Sequence, residues 1–176
     1  MKEFVSILLI GISLSMDTFS LSLSLGTIIR EKNVKIIPFV VGIFHFFMPL
    51  LGGLLGLKLI RIFNLASHVL LGAILIFLSI NLAFHYFKDE ELKINLNFWG
   101  IILFALSVSV DSFTVGMGLT AITSRFLMAS IIFFCCSAAF TYLGILIGKY
   151  SNEMIGRKAT FLGIIILFIL GIIHIF

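Results

Sequence analysis

Charge is scarce in this sequence, and its scarcity decides the class of protein. Only 11% of the 176 residues are Asp, Glu, Lys or Arg, against about a quarter in an ordinary soluble domain. A chain that is 61% hydrophobic, with a mean hydropathy of +1.26, cannot hide its apolar surface in one small water-soluble fold. The solvent for most of it is lipid. Cysteine is limited to Cys135 and Cys136, neighbours inside an apolar run, which excludes a disulfide framework and a spaced metal motif. The two prolines exclude a proline-rich linker. The net charge of +4 is small and the basic residues form no run, so no nucleic-acid partner is expected. The sequence has no Ser/His/Asp set, no glycine-rich phosphate loop and no His-Glu-x-x-His. No stretch between its apolar segments could house an active site, and an enzyme is not expected.

What the sequence does have is six apolar segments, roughly 4–29, 36–57, 66–87, 98–121, 126–148 and 159–176, each close to the about 20 residues that cross a bilayer as a helix. The first is too long for a signal peptide, carries Asp17 and ends in no small-x-small cleavage site. The expected fold is an all-α integral membrane protein of six transmembrane helices. Residues 1–87 and 98–176 form two three-helix repeats around a polar linker, 88–97. Three is an odd number, so the second repeat enters the membrane with inverted polarity, the plan of many secondary transporters. The loops after segments one, three and five hold Arg30, Lys32, Lys35, Lys88, Lys93, Lys149, Arg157 and Lys158. The opposite side holds Lys2, Lys58, Arg61 and Arg125. The positive-inside rule then places both termini outside the cytoplasm of a plasma-membrane protein.

The repeat is visible in the residues. Ser13-Leu-Ser-Met-Asp17-Thr-Phe19 recurs 94 residues later as Ser107-Val-Ser-Val-Asp111-Ser-Phe113. Gly52 and Gly56 in the second segment match Gly144 and Gly148 in the fifth. Such small-xxx-small pairs bring membrane helices close, either within the chain or in a homodimer. Of the eight acidic residues, only Asp17 and Asp111 lie deep in a segment. Each is about 13 residues, or about 20 Å, from its helix start. A charge at that depth costs at least about 2.5–3.5 kcal/mol, so two at equivalent positions point to a compensating role. On helices, Ser13, Ser20 and Ser24 share a face with Asp17, and Ser107, Thr114 and Gly118 share one with Asp111. Hydroxyls at these spacings either line a cation path or tie neighbouring helices together.

Two facing carboxylates repel unless a proton or cation lies between them. Carboxylate and hydroxyl oxygens suit Mg²⁺, Ca²⁺ and Mn²⁺, and an added imidazole or thioether shifts the preference toward Mn²⁺ and later transition metals. His45 and Met48, in Phe44-His-Phe-Phe-Met-Pro49, supply those groups. His45 is a candidate ligand or proton relay, with a structural hydrogen bond as the alternative. Met48 is a candidate for the path wall or for packing. Pro49 frees the carbonyl of His45. The residues read as a transporter of a small cation through a site at Asp17, Asp111 and His45, with no permanently bound cofactor.

Ser15-Met-Asp17-Thr-Phe19, Gly42-Ile-Phe-His45-Phe-Phe-Met48-Pro49-Leu-Leu-Gly52 and Leu106-Ser-Val-Ser-Val-Asp111-Ser-Phe-Thr-Val-Gly116 resemble the MntP-type manganese efflux family, grouped with the lysine-exporter superfamily. The resemblance covers essentially the whole chain. It implies export of Mn²⁺ from the cytoplasm, with metal-path roles for Asp17, Asp111 and the position held by His45, where some members carry an acidic residue. The alternatives are an exporter of another substrate, such as cadmium or a cationic amino acid, and a non-transporting, sporulation-type membrane protein.

Overall fold

With no water at hand to satisfy backbone groups, a chain this apolar folds into helices that satisfy their own. The computed structural model describes residues 2–26, 29, 34–63, 67–88, 98–119, 123–149 and 154–175. They form six helices: α1 Lys2–Gly26, α2 Ile36–Phe63, α3 Ser67–Lys88, α4 Phe98–Gly118, α5 Phe126–Gly148 and α6 Met154–Ile175. Within α1, α2, α4 and α5 lie four stretches long and apolar enough to cross a membrane: Glu3–Leu23, Ile36–Ile62, Phe98–Gly118 and Phe126–Gly148. The described apolar stretches of α3 and α6 are the shorter Leu71–Ile80 and Ile164–Ile173. Most of the expected linker, residues 89–97, lies outside the described residues.

Two boundaries differ from the sequence reading. α2 continues past 57 to Phe63, carrying the exposed Lys58 and Arg61 within its last turns. Basic side chains are favourable at a helix C-terminus, and their long stems let the charge reach the interface. α6 starts at Met154, so Arg157 and Lys158 lie in the helix. Pro38 falls in the first turn of α2, where a missing N–H is harmless. Pro49 lies inside α2, which runs on through it.

The exterior is apolar. Phe39, Phe47, Phe77, Phe84, Phe98, Trp99 and Ile173 are exposed, while Ser13, Ser15, Thr18, Ser22, Ser109, Ser112, Ser130, Ser137 and Thr141 are buried. This is the distribution of a lipid-solvated bundle, whose helices meet through small residues. The helix pairs in contact are α1 with α5, α2 with α4, α3 with α6, α2 with α5, α1 with α6, and α3 with α4, with a slight touch of α1 on α4. Exchanging α1–α3 for α4–α6 returns the same set.

Glycines set the two closest seams. A Cβ on Gly144 would strike the carbonyl oxygen of Phe19, and one on Gly148 that of Leu23. A Cβ on Gly52 would strike the carbonyl oxygen of Phe113, and one on Gly56 that of Met117. The glycine pairs therefore serve packing within the chain. Residue numbers rise together along both seams, since Gly11 meets Phe133 where Gly26 meets Gly148. Thus α1 runs parallel to α5, and α2 to α4. The pairing of Phe39 with Phe134 and of Gly53 with Phe126 makes α2 antiparallel to α5. α3 and α6 are also antiparallel, with Gly72 against Gly171 and the Ser79 hydroxyl donating to the Ile164 carbonyl at 3.0 Å.

A candidate cation path between two apolar clusters

The apolar core is divided in two. One cluster joins Ile7, Ile10 and Leu14 of α1 to Val115 and Leu119 of α4, Ala129 and Phe133 of α5, and parts of α3 and α6. The other joins Leu25 at the end of α1 to Val34, Ile37, Val41, Ile101, Phe104, Ala105, Val108 and Ile145. Between the buried members of the clusters lie Ser15 to Ser24 on α1, Ser109 to Thr114 on α4 and Phe134 to Gly144 on α5, with the partly buried Leu21 also packed on the second cluster. Asp17 and Asp111 each fall in this interval. So do Ser15, Thr18, Ser22, Ser109, Ser112, Ser137 and Thr141, all buried. The intervals form a polar layer with an apolar cluster toward either end of the bundle.

Asp17 and Asp111 are partly buried, and each takes part in a hydrogen-bonding or electrostatic interaction. His45 is buried, and its Nδ1–H donates to the Val41 carbonyl at 3.0 Å. A carbonyl can only accept, so Nδ1 carries the proton. In the neutral ring Nε2 is then the lone-pair nitrogen, the orientation that metal-binding imidazoles adopt. The register of Gly52 on Phe113 places His45, two helical turns earlier, near the level of Leu106 and within a turn of Ser109.

The predicted hydroxyl stripes separate on folding. Ser13 is buried and its Oγ–H donates to the Leu9 carbonyl at 2.8 Å. Ser20 and Met48 are partly buried, and the Ser24 side chain lies outside the described residues. Ser107 is exposed, although its partner in the repeat, Ser13, is buried. Thr114 is partly buried and donates to the Val110 carbonyl at 3.1 Å. Among the described residues no three His, Cys, Asp or Glu side chains gather into a metal-holding group. Asp17 and Asp111 thus both lie between the two apolar clusters, and His45, buried on α2, forms no closed cage with them. Hydroxyl and carbonyl oxygens are the other donors in that layer.

Sequence reasoning passed over the hydroxyls that pack most tightly. Ser15, Thr18 and Ser22 lie about a third of a turn around α1 from Asp17, on the face toward α5. There Ser130, Ser137 and Thr141 line the opposing helix. The signal was a spacing of seven, Ser15 to Ser22 on one helix and Ser130 to Ser137 to Gly144 on the other, which repeats a position after two turns.

Residues 28–175 match the model of the family described as "Mntp: Putative manganese efflux pump". The chain is 36% identical to the "Putative manganese efflux pump MntP" of Bacillus pumilus, with 97% of this chain and 94% of that protein aligned. It is 34% identical to the protein of the same name from Oceanobacillus iheyensis, over 99% of this chain and 97% of that one. Identity to the protein of that name from Methanocorpusculum labreanum is 28%, over 96% of this chain and 93% of that one. No solved structure matches the chain.

Proposed function

The chain belongs to the MntP manganese efflux pump family, and on that premise we propose that it is a multi-pass membrane transporter that exports Mn²⁺ from the cytoplasm. Its six helices span the bilayer as two inverted three-helix repeats. Asp17, Asp111 and His45 bind the ion near the midplane, and Ser13, Ser20, Ser24, Ser107, Thr114 and Met48 belong to the path around them. The observation that carries the reading is the polar layer. Two aspartates at equivalent repeat positions lie between two apolar clusters, on helices whose neighbours run in opposite senses. If α1 is parallel to α5, α5 antiparallel to α2, and α2 parallel to α4, then α1 and α4 oppose each other, as inversion requires.

The chemistry follows from the layer. An ion leaving water loses hydration that only fixed oxygens or nitrogen can replace. Two carboxylates neutralise a divalent charge, and the dipolar hydroxyls complete its shell. With the ion gone the carboxylates repel, and proton uptake by one of them relieves the strain. The clusters on either side keep the layer from being open to both faces together, the condition for alternating access. The Lys and Arg distribution favours both termini outside the cytoplasm. The test is expression in cells that lack manganese efflux. The chain should lower cell Mn²⁺ content and relieve manganese toxicity, and unchanged content with the protein present in the membrane would overturn the function.

A further inference from the structure

Among the described residues, four buried side-chain hydroxyls have no hydrogen-bond partner: Thr18, Ser22, Ser130 and Ser137. Each has 0% of its surface exposed. All four lie on α1 and α5, the two helices that meet at the Phe19–Gly144 and Leu23–Gly148 contacts. Buried hydroxyls are nearly always paired, so four unmet ones on one helix pair need a physical cause.

The other half of the molecule provides the comparison. The equivalents of Ser15, Thr18 and Ser22 on α4 are Ser109, Ser112 and Gly116. Ser109 donates to the Leu106 carbonyl at 2.9 Å and Ser112 to the Ser109 carbonyl at 2.7 Å. The equivalents of Ser130, Ser137 and Thr141 on α2 are Pro38, His45 and Pro49. The α2–α4 seam therefore holds few hydroxyls, and those are satisfied along their own helix. The α1–α5 seam holds six, of which only Ser15 and Thr141 are satisfied, by the Gly11 and Ser137 carbonyls at 2.6 Å each. From the register of Ser22 on Gly144, Ser137 falls at the level of Ser15, and the track from Ser130 to Ser22 covers about 20 Å of helix.

We propose that the α1–α5 seam is the aqueous route by which a hydrated divalent cation reaches the polar layer, with Thr18, Ser22 and Ser137 contacting the ion or its water shell as the seam parts. The inference rests on the transport reading above and assigns a route to its central site. The closed seam leaves four donors unmet, and water or an ion entering it meets them. Among the described residues, the matching α2–α4 seam has no such deficit. The glycines let the two helices close backbone to backbone behind the ion. The parallel ends of α1 and α5 lead toward the loops richest in Lys and Arg, the proposed cytoplasmic side.

Cysteine accessibility in inside-out membrane vesicles tests the route, in a background carrying Cys135→Ala and Cys136→Ala. Ser22→Cys and Ser137→Cys should react with a small charged methanethiosulfonate about five-fold faster than Ser109→Cys and Ser112→Cys, the factor that one unmet hydroxyl hydrogen bond represents at its low end. Mn²⁺ should slow the reaction at the first pair, which lines the route, more than at the second, which borders the layer. Equal rates on the two seams would overturn the proposal, as would α1–α5 labelling insensitive to Mn²⁺ in a protein that exports it. If the parent exports no Mn²⁺, the transport reading falls, while the ratio of labelling rates still decides which seam is hydrated. Thr18→Val, of nearly the same shape as threonine, should lose far more export than Thr18→Ser, which keeps the hydroxyl. Equal export by the two would count against a hydroxyl role.

Discussion

Gly52 rests on the backbone carbonyl of Phe113, two residues beyond Asp111. Gly144 makes the same contact with Phe19, two residues beyond Asp17. Each aspartate helix is thus clamped by a glycine from the other half of the chain, one turn or less past its carboxylate. The two halves are not side-by-side units, because each supplies the wall against which the other's aspartate helix is held.

Gly52→Ala and Gly144→Ala should each destabilise the protein by about 1–3 kcal/mol, the range for forcing atoms into a packed interface. The added Cβ would meet a backbone oxygen, which cannot swing aside. Gly53→Ala should do less harm, since its new Cβ would meet the ring of Phe126 at 2.9 Å, and a ring edge can shift. Thermal unfolding in detergent measures the difference. Equal losses at Gly52 and Gly53 would mean that the close approach is not limiting.

Ser79→Ala removes the hydroxyl that joins α3 to the Ile164 carbonyl of α6. Hydrogen bonds between membrane helices average about 0.6 kcal/mol and reach about 1.7, so a small loss of thermal stability is expected. Mn²⁺ export should persist, because Ser79 lies outside the polar layer. Loss of export in a folded Ser79→Ala protein would extend the path into α3.

Asp17→Asn and Asp111→Asn preserve shape and remove charge. Each should abolish relief of manganese toxicity and leave cell Mn²⁺ at the level of cells without the transporter. One carboxylate cannot balance a divalent ion stripped of much of its water. Full protection by both variants, with membrane levels matched, would remove the aspartates from the ion's path.

The helices were legible because about 20-residue apolar runs in lipid have few other options, and the repeat was legible because Asp17 and Asp111 sit in heptapeptides that share their Ser, Ser, Asp and Phe positions. Which face of each aspartate helix packs inward was not. Ser13 and Ser107 occupy equivalent positions, yet one is buried and the other exposed. α1 carries more of its circumference inside the bundle through its fuller contact with α6. The hydroxyl stripe toward α5 was missed because reasoning outward from Asp17 selects residues three and four away, whereas Ser15, Thr18 and Ser22 follow a stripe of their own. The end of α2 was also misjudged. Lys58 and Arg61 read as loop residues, but a charge near the lipid boundary does not stop a helix whose backbone is satisfied.

On the proposed reading, His45 tunes the selectivity of the site. Its Nδ1–H is held by the Val41 carbonyl, which fixes the ring and leaves Nε2 as the only coordinating atom. A nitrogen ligand favours later transition metals over Mn²⁺ more than an oxygen ligand does. His45→Glu exchanges that nitrogen for carboxylate oxygen and adds a third negative charge to the proposed site. Mn²⁺ export should therefore survive the change, while Zn²⁺ should compete less well than it does with the wild type. Transport of Mn²⁺ into inside-out vesicles against rising Zn²⁺ measures both effects, and His45→Leu should lose export in the same assay. If His45→Glu leaves Zn²⁺ competition unchanged while His45→Leu exports normally, Nε2 does not face the ion, and the ring's bond to Val41 is its whole function.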